Sequence, residues 1–263
     1  MSKKPLIKKI EDELIRRGFR TEISALRHLK KEGFLVVPQF PFIDPTENKV
    51  RSIDIKSEYF GGFSFPKRKQ VTLFIECKKS DKQKWVFYTE YSNFDLQRYS
   101  RDPTYDLKKN ESIMAQLKRS GFSFFDLFKE PNRLGLSQIN ILKDDPDLFL
   151  DAQMKVLKSI WHYLKNTYSH FKYDPNYELI IPVIVFEGDM YEYYYKSDVY
   201  SSHGLVKKGV EEEMKIEKID CISFVSNGFP EDPTPVLIDV VSIDYFSEYI
   251  QNVKEEYEKL PGR

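Results

Sequence analysis

The residues best suited to chemistry in this sequence stand at the end of an apolar run. Val71 to Ile75 is rich in β-branched and aromatic residues, which predicts a buried strand, and Glu76-Cys77-Lys78 follows it directly. Because side chains alternate along a strand, Glu76 and Lys78 should project from one face and Cys77 from the other. A carboxylate beside an ammonium group at this position could hold a metal ion next to a nucleophilic water. The alternative is a strand end whose glutamate and lysine pair with each other in solvent.

A second carboxylate, Asp54, lies in the preceding predicted strand. The pattern predicts that Ile53 and Ile55 face one way and that Asp54 faces the other. Two consecutive strands of this kind form a hairpin, which would set Asp54 beside Glu76. The sequence does not fix the pairing register, so the alternative for Asp54 is an acid near a turn with no part in a site.

A third carboxylate, Glu22, falls on the apolar stripe of a helix predicted over residues 21–32, with Thr21 as its N-cap. A carboxylate that faces the core needs a partner, because burying an unpaired charge is costly, so Glu22 is a candidate member of the site. The alternative is a first-turn acid favoured by the helix dipole. Glu11, on the stripe of the preceding helix, is the substitute candidate.

The periodicity of the whole chain predicts an α/β fold in which helices flank a mixed sheet. Helices are predicted over residues 6–17, 21–32, 151–168 and 243–259. Strands are predicted over residues 34–37, 50–56, 71–76, 178–186, 190–195, 219–225 and 236–241. We expect a single domain over residues 1–263, with a core of 6–80 and 148–259 and an insertion at about 81–147.

Three features in and after the insertion allow two interpretations each. Trp85 to Tyr88 is either a short strand or an apolar connector, and aromatic residues such as Phe94 and Tyr99 either stack on bases or form local core. Gln153, on the stripe of the helix over 151–168, is either a buried polar group near the site or part of a frayed helix end. The sequence also predicts a turn from Asp44 to Asn48.

Composition restricts the class of protein. No apolar run approaches the roughly 20 residues that span a bilayer, and the first residues are charged, so we expect no membrane segment. Two cysteines, Cys77 and Cys221, exclude a disulfide framework and a cysteine-rich zinc site, which favours the cytoplasm. Residues 174–263 carry 8 Lys/Arg and 19 Asp/Glu out of 41 of each, which leaves 33 and 22 for residues 1–173. A basic half that contains the acid–lysine strand would suit a polyphosphate partner, although charge runs are equally typical of solvated surfaces.

Glu22, Asp54 and Glu76-x-Lys78, in the order helix, strand, strand, resemble the PD-(D/E)xK nuclease superfamily, which has the restriction-endonuclease-like fold. Three sequence segments are similar to the corresponding segments of Mrr-like restriction enzymes and Holliday-junction resolvases: Gly33-Phe34, Arg51-Ser-Ile-Asp-Ile55 and Leu73-Phe-Ile-Glu-Cys-Lys-Lys79. The resemblance covers residues 20–80, is looser over 150–188, where the family places its next helix and strand, and is absent elsewhere. Ile53 stands before the acid where the superfamily name has a proline.

The resemblance implies a metal-dependent nuclease, and the residues suit that chemistry. Mg²⁺, with Mn²⁺ as the substitute, binds to one or two carboxylates and keeps several waters. Asp54 and Glu76 would be those carboxylates, and the backbone carbonyl of Cys77 could add a ligand. Lys78 would hold the attacking water and favour its deprotonated form. The resemblance further implies that Glu22 binds a second metal or orients the water.

The resemblance leaves several points open. A catalytically silent nuclease-fold module that binds nucleic acid or protein is the alternative to an enzyme. DNA is favoured over RNA as the partner, a role in restriction or anti-phage defence follows only from the restriction-enzyme likeness, and nucleases that cut both strands usually act as homodimers. An enzyme of another class has no support, since the sequence contains no phosphate-cradling glycine-rich loop, nucleophile elbow or paired-histidine metal motif.

Overall fold

A computed structural model describes residues 6–16, 18–60, 69–91, 105–106, 111–112, 133–141, 147–167, 177–196, 213–226 and 236–259. The predicted helices are confirmed, with ends that differ by a few residues. The four described helices are α1 (Leu6–Arg16), α2 (Phe19–Lys31), α3 (Leu148–Thr167) and α4 (Phe246–Lys259). Within the described ranges, none of them is long and apolar enough to cross a membrane.

The predicted strands are likewise confirmed, and further strands accompany them. The twelve described strands are β1 (Leu35–Ile43), β2 (Val50–Tyr59), β3 (Lys69–Lys79), β4 (Lys84–Tyr91), β5 (Tyr105–Asp106), β6 (Glu111–Ser112), β7 (Arg133–Ile141), β8 (Tyr177–Glu187), β9 (Met190–Lys196), β10 (Glu213–Lys218), β11 (Cys221–Ser226) and β12 (Val236–Ser242). Helices before, between and after the strands flank a mixed sheet, so the protein has the expected α/β class.

Ten of these strands form one mixed sheet, in the order β1-β2-β3-β8-β12-β11-β7-β4-β9-β10. The pairs β3–β8, β8–β12, β11–β7 and β4–β9 are parallel and the other neighbours are antiparallel. The strands β5 and β6 pair separately. The strand that carries Glu76, β3, therefore lies inside the sheet between β2 and β8.

Each face of the sheet buries its own core. On one face, which we call the α2/α4 face, Ala25 and Leu29 of α2 and Phe246 and Tyr249 of α4 pack over the odd-numbered residues of β3. On the other, the α3 face, the apolar stripe of α3 packs over residues that include Phe74. Alternate residues of β8 enter both cores, as expected for a continuous apolar run that is covered on both sides.

Part of the segment predicted as an insertion belongs to the large sheet. The strands β4 and β7 pair with each other and join β9 and β11. Trp85 is buried and stacks on Phe186 with ring centroids 3.7 Å apart, so the stretch from Trp85 to Tyr88 is a strand and not a connector. Phe94 and Tyr99 lie outside the described residues. The division of the chain into a core and an insertion stays a prediction.

The predicted turn lies between β1 and β2, and its residue Asp44 contacts α3. Asp44 is buried, and its Oδ1 accepts hydrogen bonds from the backbone and hydroxyl of Thr46 at 2.9 and 2.7 Å. Its Oδ2 lies 2.8 Å from Lys158 Nζ of α3 and 3.1 Å from Arg51 Nε of β2. The carboxylate of Asp44 therefore fixes the hairpin relative to α3, and with it the relative position of β2 and the helix.

Asp44→Asn should lower the free energy of unfolding at pH 7 by about 2–3 kcal/mol, because it leaves Lys158 without its buried counter-charge. Burial acts to raise the pKa of Asp44, but hydrogen bonds from Lys158 and Thr46 outweigh it and hold that pKa well below its ordinary value. The contribution of the ionised Asp44 carboxylate to the free energy of unfolding is complete above the unfolded-state pKa of about 3.9, and it is lost as the pH falls towards the folded-state pKa. Urea unfolding at pH 7 and pH 3 should show the two proteins converging in acid.

Glu47→Gln is the matched control in the same turn. Glu47 is exposed and pairs with Lys49 and Arg51, so its loss should change unfolding far less. An equal decrease in the free energy of unfolding for the two variants would show that the buried contacts of Asp44 do not hold the hairpin.

Candidate functional site

The candidate site forms where β2 and β3 separate. Their ladder runs from Tyr59 opposite Val71 to Ile55 opposite Ile75 and then ends. Beyond that point β3 stays paired with β8 as far as Lys79, and β2 stays paired with β1. The carboxyl end of β3, which begins with Glu76, therefore borders a gap in the sheet.

Asp54 fills part of this gap. Its Oδ2 accepts a hydrogen bond of 2.8 Å from the backbone N–H of Cys77, a donor that the β2–β3 ladder leaves free. Opposite Asp54, the β1 residue Gln39 has a positive φ of 48°, and the β1–β2 pairs flank this position without including it. The irregularity turns Asp54 towards β3, so the predicted neighbours Asp54 and Glu76 do come together.

The same irregularity overturns one expectation about β2. Ile53 packs in the core of the α3 face and Ile55 in the core of the α2/α4 face. The prediction that these two residues face the same way is therefore wrong. Strict alternation fails where the β1–β2 pairs skip Gln39 and Asp54, where Gln39 has a positive φ, and where β2 leaves its partner β3.

Glu76 is the most buried member of the site, with 1% of its surface exposed. Its Oε1 lies 2.8 Å from Lys155 Nζ and 3.0 Å from Lys78 Nζ. Its Oε2 is also buried, and within the described part of the chain it has no hydrogen-bond partner. Burial and then the charge of Asp54 raise the pKa of Glu76, against the opposing effect of the two lysines. One oxygen of this carboxylate is thus neutralised, and the other has neither a donor nor a cation among the residues that the structure describes.

Lys78 is held between two acids. Its Nζ contacts Glu76 Oε1 and also lies 2.6 Å from Asp151 Oδ2 at the start of α3. Burial acts to lower the pKa of Lys78, but Glu76 and Asp151 outweigh burial and raise it. Lys78 is therefore an ammonium ion at neutral pH.

The sequence prediction missed the contribution of α3. Asp151 and Lys155 are one helical turn apart, and Lys158, which contacts Asp44, follows at the next turn. A row of charged residues at spacings of four and three beside the apolar stripe is a signal that could have indicated them. Gln153, which the sequence had singled out on this helix, instead donates to Ser226 Oγ at 2.6 Å.

Glu22 reaches the site from the first turn of α2. The helix begins at Phe19 after Gly18, so Thr21 is not its N-cap, and the Thr21 hydroxyl donates to Glu187. Glu22 Oε2 accepts a hydrogen bond of 3.2 Å from Gln39 Nε2, and the same nitrogen lies 3.4 Å from Asp54 Oδ1.

Burial raises the pKa of Glu22 to about 7, and the charges of Asp54 and Glu76 add to the shift. Glu22 therefore interacts with the other acids and is more than a first-turn acid. The substitute candidate, Glu11, is exposed on α1.

These residues form a charge-imbalanced group, which we call the acid cluster: Glu22, Asp54, Glu76 and Asp151 with Lys78 and Lys155. Four carboxylates and two ammonium groups give a net charge of −2 when all are ionised. Glu76 and Asp54 are buried, whereas Glu22 is half-buried and Gln39 is exposed, so the cluster opens to solvent near Glu22.

The donor set suits an ion that needs few protein ligands. Among the residues that the structure describes, no three His, Cys, Asp or Glu side chains converge as a ready-made metal site. Mg²⁺ needs only one or two carboxylates, because waters and substrate oxygens complete its shell. Within the described residues the buried Oε2 of Glu76 has no partner, and it is the atom that such an ion would satisfy.

Comparison of the chain with protein-family models, with curated proteins and with solved structures gives no match.

Glu22→Gln should stabilise the metal-free protein at pH 8 and leave its stability almost unchanged at pH 4. A folded-state pKa of about 7, against an ordinary value of 4.5, means that the folded protein binds more protons than the unfolded chain between these pH values. Stability must then fall as the pH rises through that window, and the glutamine removes this loss. Thermal unfolding in EDTA across pH 4–8 measures the difference. Glu11→Gln, the same change at an exposed position, should leave the dependence of stability on pH as in wild type. Parallel pH profiles for wild type and both variants would contradict the raised pKa of Glu22.

Lys155→Met should lower the free energy of unfolding by about 1–3 kcal/mol in EDTA, because buried Glu76 loses one of its two counter-charges. Chemical unfolding of a double-mutant cycle with Glu76→Gln checks the assignment. In the Glu76→Gln background, Lys155→Met should lower the free energy of unfolding much less than in wild type. If the decreases for the two single variants add up in the double variant, the two side chains do not interact.

Proposed function

We propose that this protein is a metal-dependent endonuclease of the PD-(D/E)xK type, which hydrolyses phosphodiester bonds of DNA in preference to RNA. The observation that carries the proposal is the state of Glu76. One oxygen of its carboxylate contacts Lys78 and Lys155, the other is buried without a partner among the described residues, and the charge of Asp54 acts on the same carboxylate. A cation and a lysine on either side of one carboxylate is an arrangement that suits phosphodiester hydrolysis.

The residues that would hold the ion are Asp54, Glu76 and the backbone carbonyl of Cys77, with Glu22 able to bind a second ion or to orient water. When bound, Mg²⁺ or Mn²⁺ supplies positive charge to the phosphate oxygens and lowers the pKa of a coordinated water. With every group ionised the cluster carries a surplus of two negative charges, which a divalent ion would balance.

Lys78 has the role that its charge allows. Because Glu76 and Asp151 keep it protonated, Lys78 cannot accept a proton from water at neutral pH. It can donate hydrogen bonds to the attacking oxygen and to the charge that develops on the phosphate in the transition state. Asp151 holds the ammonium group in place for this task.

The order of elements also supports the proposal. The helix α2, the strands β1 to β3, the helix α3 and the strand β8 follow one another, and β8 lies parallel to β3. The sequence resemblance expects the next helix and strand at residues 150–188, where α3 and β8 lie. On the resemblance alone, the proposal extends to a homodimer that acts against foreign DNA, and the low cysteine content favours the cytoplasm as its location.

A catalytically silent module is the second candidate, and one observation favours it. Lys78 and Lys155 already neutralise one oxygen of Glu76, and Lys78 also pairs with Asp151. A partly buried network of this kind could serve only to fix the fold while another surface binds nucleic acid or protein.

A cleavage assay on supercoiled and linear DNA separates the two candidates. Wild type should cut in Mg²⁺ or Mn²⁺ and not in EDTA, and Asp54→Asn, Glu76→Gln and Lys78→Met should each reduce the rate by roughly 10²–10⁴-fold, because each removes a group that acts on the transition state. Lys79→Met is the matched control. It removes the adjacent lysine of β3, which lies 2.6 Å from Glu187 instead of in the cluster, so cleavage should persist.

The proposal fails if wild type binds DNA without metal and never cuts it, which is the behaviour of the silent module. It also fails if the three cluster variants cut as fast as wild type, because the activity would then belong to another site or to a contaminant. A parallel assay on RNA tests the preference for DNA.

A further inference from the structure

The residue that joins the two outer acids of the cluster has an unusual backbone. Gln39 has a φ of 48°, in the left-handed region that favours glycine and asparagine. Among the described residues, the other non-glycine with a positive φ is Asn48, in the turn before β2, a position where asparagine is common. A glutamine held in this conformation therefore needs a compensating interaction.

The side chain of Gln39 provides that interaction. Its Nε2 donates to Glu22 Oε2 at 3.2 Å and lies 3.4 Å from Asp54 Oδ1, so one amide group contacts acids from α2 and from β2. Its Oε1 accepts a hydrogen bond of 2.9 Å from Ser52 Oγ. The hydroxyl of Ser52 thus orients the amide with its N–H groups towards the two carboxylates.

A neutral donor suits this position better than a cation. Glu22 of α2 and Asp54 of β2 repel each other when both are ionised. A lysine here would hold both acids but would also cancel one of the two surplus negative charges. The amide brings the carboxylates together and leaves the full negative charge for a divalent ion.

We propose that Gln39 is a positioning residue of the acid cluster, and that its strained backbone is retained because it directs the amide between Glu22 and Asp54. The inference rests on the proposed metal-dependent function. The competing explanation is that Gln39 merely occupies an irregular position in β1 and that its side chain has no role.

The pair Gln39→Gly and Gln39→Ala separates the backbone from the side chain. Both variants lack the amide, but only glycine relieves the strain at a φ of 48°. Titration calorimetry with Mn²⁺ alone should show both variants binding about 10–100-fold more weakly than wild type, the usual effect of losing a group that orients metal ligands. In EDTA, the glycine variant should unfold at a higher temperature than the alanine variant.

The controls make each outcome decisive. Asn48→Gly, at a φ of 53° outside the cluster, should bind Mn²⁺ as wild type does, and Asp54→Asn should abolish binding. If wild type binds Mn²⁺ and Gln39→Gly binds it equally well, the positioning role is overturned and the proposed function stands. If wild type does not bind Mn²⁺, the proposed function fails and the role of Gln39 fails with it.

Discussion

The burial of one carboxylate, that of Glu76, is the constraint on which the rest of the site depends. An ionised carboxylate with 1% of its surface exposed is stable only if charges or donors surround it. One oxygen has them: Lys78 from the same strand and Lys155 from α3. The other has none among the described residues, although it is equally buried. A core built only for stability would place an apolar residue here, since replacing buried ion pairs by apolar side chains is often neutral or stabilising.

The separation of β2 from β3 is what makes this arrangement possible. In a continuous ladder, the end of β3 would be covered by its neighbour, and residues from the two faces of the sheet could not meet. Because the ladder ends at Ile55 and Ile75, Glu22 from one face and Lys155 from the other reach the same group of acids. The hydrogen bond from Cys77 to Asp54 replaces the lost backbone pairing at the edge of the gap. The opening therefore costs little in unsatisfied backbone groups and exposes a negatively charged site.

The sequence predicted the elements and the principal acids, because these depend on local patterns. The apolar run before Glu76 and the stripe that contains Glu22 are periodic signals, and both acids lie in the cluster as expected. The orientation of Ile53 and Ile55 was wrong, because an irregularity at Gln39 and Asp54 depends on pairing between distant residues. Asp151 and Lys155 escaped prediction because their function depends on how α3 packs over β3, which periodicity alone does not determine. The strand β7 was hidden by a weak pattern, and for β4 the stretch from Trp85 to Tyr88 left a strand and a connector as alternatives, although Trp85 packs in the core of the main sheet.

The most direct test of the central claim is a crystal structure of the protein soaked in Mn²⁺, with an anomalous difference map. The account predicts one peak at about 2 Å from Glu76 Oε2 and from a carboxylate oxygen of Asp54, with Lys78 still beside Glu76. A map with no peak in the gap between β2 and β3, in a crystal where Glu76 Oε2 remains buried and unpartnered, would contradict it.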